Sequence, residues 1–165
     1  MIKINNRQFF LISLFLVLFL EFINPKWLTL FGLGPSWAVL WLLPWALQNG
    51  QLAGLYSGLC IGLLLDGIIL EGITQIPVFC FLGFWWGRLG SRTLEFNRIF
   101  SLGILAWLGT VIYGMSILCQ NYILHSINLF DWGMVNIFSQ SILTGLLAPV
   151  FCSRMLIFMQ QNSSR

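Results

Sequence analysis

The chain has 165 residues, of which 58% are hydrophobic and only 8% are charged. Soluble domains carry about a quarter charged residues because their surfaces face water, so this composition indicates an integral membrane protein rather than a soluble one. The eight basic and five acidic residues give a net charge of +3 and form no basic arm, which argues against nucleic acid as a partner.

Six apolar runs follow one another, each close to the ~20 residues that cross ~30 Å of hydrocarbon. The first follows Lys3 and Arg7 and ends without a small-residue cleavage site, so we predict an uncleaved span rather than a signal peptide. The second contains Pro35 and Pro44, which predict a kink or a re-entrant start. Short polar segments separate the runs, and we predict one all-α transmembrane domain over residues 1–165, a bundle of about six helices. The predicted spans are residues 8–23, 27–47, 51–70, 73–89, 99–124 and 133–153.

The basic residues predict an orientation for these spans. If the N-terminus lies inside, six crossings place residues 48–51, residues 88–98 and the C-terminus on the cytoplasmic side as well. Seven of the eight basic residues then lie inside and Lys26 alone lies outside, which is the positive-inside pattern, so both termini are predicted to be cytoplasmic. The most polar segment, residues 88–98, contains three arginines that could contact a cytoplasmic partner or bind anionic lipid headgroups. The alternative is that these arginines only determine the topology. These three are Arg88, Arg92 and Arg98.

The third run carries a glycine at every fourth residue, and an aspartate takes the next place in the series: Gly50, Gly54, Gly58, Gly62 and Asp66. A step of four residues drifts only slowly around a helix, so these positions form one stripe. Small residues let helix backbones approach closely in lipid, which predicts either internal packing or an interface with another protein. Gly83 and Gly87 on the fourth run offer a second small seam. Asp66 is expected to face the bundle interior or water, because an intramembrane carboxylate is costly.

Catalysis finds little support in the sequence. Asp66 and Asp131 could form an intramembrane aspartyl dyad, but Leu63 and Gly67 stand where the lipoprotein signal peptidase motif needs Asn and Arg. His125 has no Cys or His cluster to join, and neither a G-x-S-x-G nor a Walker motif is present. We therefore predict a non-catalytic subunit without metal or cofactor. Four cysteines inside apolar runs are expected to be buried, lipid-embedded thiols: Cys60, Cys80, Cys119 and Cys152.

Residues 54–66, followed by Gly72, resemble the rod shape-determining protein MreD. That family carries a G-x-x-x-G-L-x-x-D-like stretch in the corresponding helix and a glycine shortly after it. The chain length, the outline of six spans and the aromatic fourth run also fit the family. That run ends in Gly87-Arg88-Leu89-Gly90.

The resemblance implies a scaffold without enzymatic activity in the bacterial inner membrane, where peptidoglycan is built during cell elongation. The implied partners are an MreC-like protein, the actin-like MreB, RodA and a penicillin-binding protein. The family fold is thought to be similar to that of the S components of energy-coupling-factor transporters. This gives the alternative of a subunit that binds a small molecule and needs an ATPase partner. Such a ligand site would draw on Asn128, Asp131 and Trp132 near the outer face.

Overall fold

The structure, a computed structural model, describes residues 6–23, 34–68, 73–90, 98–125 and 130–163. The described residues form helices and no strands, so the all-α prediction is confirmed. The described part of the chain contains five helices, α1 (Asn6–Ile23), α2 (Trp37–Ile68), α3 (Ile76–Leu89), α4 (Arg98–His125) and α5 (Phe130–Ser163).

Within the described residues, three helical stretches are long and apolar enough to cross a membrane by length and composition alone, and two shorter apolar helices accompany them. The long stretches are Trp37–Ile68, Ser101–Leu124 and Gly133–Met159, and the shorter ones are Phe10–Glu21 and Ile76–Leu89. A membrane protein is therefore indicated, while the predicted count of about six crossings is not confirmed. The two runs predicted at 27–47 and 51–70 fall largely within α2, and residues 24–33 and 69–72 lie outside the described residues.

Gly50 divides α2 into two helical segments. Its φ of 86° lies in the left-handed region, which a glycine adopts without the clash that a Cβ would introduce. Ala46 and Gly54 lie eight residues apart, a rise of about 12 Å in an unbroken helix. A Cβ built on Gly54 would nevertheless lie only 3.1 Å from the Ala46 Cβ. The chain therefore folds back at Gly50, within residues 48–51, which separate two of the predicted spans.

The first of these segments, residues 37–49, lies at the centre of the bundle and is called the central segment below. Seven of its apolar side chains are at most 2% exposed: Ala38, Val39, Leu40, Trp41, Leu42, Leu43 and Ala46. A helix that is apolar on every side is suited to burial on every side. Phe10 of α1 packs on the Trp41 ring at a centroid distance of 5.2 Å, and Phe151 of α5 meets Trp37 at 6.2 Å.

Pro44 is tolerated in the central segment because another helix supplies a donor. A proline has no backbone N–H, so the carbonyl of Leu40 loses its usual donor four residues later. The Cys152 thiol of α5 donates to that carbonyl oxygen at 3.5 Å, and both groups are buried. A neighbouring helix thus restores the freed acceptor, as membrane helices require.

The second proline within a helix, Pro149, has a similar setting between α4 and α5. It removes the N–H donor that would bond the carbonyl of Gly145. That carbonyl faces α4, because a Cβ built on Gly103 would lie 3.1 Å from the Gly145 oxygen. Glycines at this crossing allow the two long helices to approach closely.

Candidate functional site

The glycine stripe of α2 packs against α3. A Cβ built on Gly54 would overlap the carbonyl oxygen of Gly83, and one built on Gly83 would overlap the carbonyl oxygen of Gly54. One built on Gly58 would lie 2.7 Å from the carbonyl carbon of Phe79. These obstacles are backbone atoms, which cannot rotate away as a side chain can. The two backbones are therefore in direct contact along the stripe, here called the glycine seam.

The seam extends beyond these positions at both ends. At Gly62 a Cβ would lie 2.8 Å from the Ile76 Cα, where α3 begins. At the other end, a Cβ on Gly87 would lie 2.6 Å from the Gln51 Cα. The predicted second seam on α3 is thus the partner of the first. This face of α2 is covered from within the chain, and its use as an interface with another protein stays a prediction.

Asp66 lies at the end of the seam and binds the start of α3. Its Oδ1 accepts the backbone N–H of Gln75 at 2.7 Å. Gln75 is the N-cap residue of α3, and its own side chain makes no capping bond, so Asp66 supplies an acceptor for a backbone donor at a helix start. The Oδ2 atom is buried and has no hydrogen-bond partner within the described part of the chain.

Two side chains of α4 hold the same short segment from the other side. The Tyr113 hydroxyl donates to Gln75 Oε1 at 3.2 Å, and both side chains are buried. Gln120 pairs with the backbone of Thr74, accepting its N–H at 3.0 Å and donating to its carbonyl at 2.9 Å. Four hydrogen bonds thus link residues 74–75, which lead into α3, to Asp66 of α2 and to two side chains of α4.

Glu21 binds the start of the central segment. Its Oε2 accepts the backbone N–H of Ala38 at 3.2 Å, in the first turn, where helix donors lack intrahelical partners. Beside it, Thr144 Oγ1 accepts the N–H of Ser36 at 3.1 Å. Asp66 and Tyr113 meet at Gln75, where the first accepts the backbone N–H and the second donates to the side chain. We call Glu21, Asp66, Gln75 and Tyr113 the polar cluster.

The other predicted residues are placed only in part. Arg88 is exposed in the last turn of α3, where a cation interacts favourably with the helix dipole. Arg92 lies outside the described residues, and Arg98 opens α4 with its side chain outside them. The side chain of Asp131 is not described either, so the dyad with Asp66 remains untested. The four cysteines are free, and Cys152 alone among them is buried.

Sequence reasoning missed Gln75, Tyr113 and Gln120. A signal for two of them was present, because Tyr113, Ser116 and Gln120 recur at helical spacing along one face of an otherwise apolar run. Polar side chains on one face of a membrane helix are expected to point at other helices rather than at lipid. Gln75 belongs to no periodic pattern in the sequence. Its role is indicated only by Pro77, because a proline is favoured in the first turn of a helix and Gln75 lies two residues before it.

Comparisons with protein-family models, with curated proteins and with solved structures find no match. The class defined by the fold is therefore the general one of an all-helical protein with apolar helices suited to a membrane. The resemblance of residues 54–66 to MreD stays a prediction.

Proposed function

We propose that the chain is a non-catalytic membrane subunit of the bacterial cell-elongation complex, an MreD-like scaffold that binds an MreC-like protein. The carrying observation is that the residues of the resemblance, Gly54 to Asp66, have structural roles. The glycines allow α3 to approach α2 closely, and Asp66 accepts a hydrogen bond from the backbone at the start of α3. This supports a scaffold because an acid engaged in fixing a helix start contributes to shape rather than to turnover.

The outer surface of the helices is suited to contact with lipid. Large apolar side chains are strongly exposed on several helices, as a lipid-facing surface requires and a water-facing one does not. Among the most exposed are Phe15, Leu52, Ile123, Leu146 and Val150. The proposal extends to six crossings of the inner membrane with both termini in the cytoplasm, supported by the distribution of basic residues in the sequence.

Two measurements test the scaffold proposal. Affinity purification from the native membrane should recover an MreC-like protein together with RodA and penicillin-binding synthases. Depletion in a rod-shaped host should give round cells, because elongation would lose its scaffold. Normal cell shape after complete depletion would overturn the proposal, as would purification that recovers none of these partners.

Orientation is tested separately by cysteine labelling in a cysteine-free background. Asn49, exposed at the fold-back of α2, should be protected from a membrane-impermeant maleimide in intact spheroplasts after substitution by cysteine. Lys26→Cys should react under the same conditions, and lysed spheroplasts serve as the control in which both react. Labelling of Asn49→Cys from outside would contradict the proposed topology.

One observation favours a second function, an S-component-like subunit that binds a small molecule. The polar cluster combines the buried Gln75 and Tyr113 with the half-buried Glu21 and Asp66, and polar side chains among membrane helices are costly unless they have a role. Recovery of an ABC-type ATPase pair in the same purification, in place of cell-wall synthases, would favour this alternative over the scaffold.

A further inference from the structure

We draw no further inference here: the strongest candidate, the polar cluster of Glu21, Asp66, Gln75 and Tyr113 beside the start of the central segment, combines a helix N-terminus with acidic side chains whose described hydrogen bonds are all to the chain itself, and nothing in the structure shows what it would bind.

Discussion

Substitution of Gly58 by alanine tests the glycine seam most directly. The added Cβ would overlap the Phe79 carbonyl oxygen and lie 2.7 Å from its carbonyl carbon, whereas ordinary van der Waals contact begins at 3.4 Å, so the two helices must move apart by more than 0.7 Å. A gap of 0.5–1 Å forfeits about a quarter to a half of each dispersion contact along the seam. Overpacking of this kind costs about 1–3 kcal/mol, and the upper part of that range applies because the obstacle is backbone.

Alanine also favours a helix over glycine by about 1 kcal/mol, which must be separated from the packing cost. Gly67 provides the matched control, because it lies on the same segment and a Cβ there meets nothing within 4 Å. Gly58→Ala should therefore be about 2–3 kcal/mol less stable than Gly67→Ala. Thermal unfolding in detergent, followed by tryptophan fluorescence, measures the difference. Equal melting temperatures for the two variants would refute the close approach of α2 and α3.

Three further substitutions test contacts between helices. Tyr113→Phe should destabilise the protein by about 1–2 kcal/mol in thermal unfolding, because the buried Gln75 oxygen loses its donor. Gln120→Ala should speed hydrogen exchange at the Thr74 amide roughly tenfold, because that N–H loses its acceptor. Cys152→Ala should cost about 1 kcal/mol in thermal unfolding, because it removes the donor to the carbonyl that a proline has freed.

Two exposed residues of α4 supply controls for the tyrosine and cysteine variants. Tyr122 of α4 is 65% exposed, so Tyr122→Phe should leave the melting temperature unchanged. Cys119 is also exposed, and Cys119→Ala should be neutral. If the control and the test variant of either pair melt alike, the corresponding buried hydrogen bond does not stabilise the fold. An unchanged exchange rate at Thr74 in Gln120→Ala would contradict that pairing.

The helices could be predicted from the sequence, because long apolar runs separated by polar segments leave few alternatives to membrane helices. The run predicted at 99–124 agrees closely with α4 (Arg98–His125). The central position of residues 37–49 could not be predicted, because a run that faces lipid and a run that faces other helices have the same composition. Burial of that segment depends on which helices surround it, and hydrophobicity carries no such information.

The candidate site was predictable in its glycines and not in its polar contacts. A glycine at every fourth residue predicts close packing, so the stripe could be found from the sequence. The sequence did not show that the stripe packs against α3. The contacts of Gln75 join residues 9 and 38 positions away in sequence. Hydrogen bonds over such separations depend on how helices are arranged, which no local pattern encodes.

The position of the seam changes how a partner surface should be sought. Substituting Gly58 by leucine would separate α2 from α3, so a loss of partner binding would follow from damage to the fold alone. Tyr56 lies on the same segment and is 66% exposed, so Tyr56→Ala leaves the seam intact. A partner that contacts the outer face of this segment should be lost in Tyr56→Ala at an unchanged melting temperature. If Tyr56→Ala retains the partner, and Gly58→Ala does too at a temperature where it stays folded, residues 54–66 stabilise the subunit and the partner binds elsewhere.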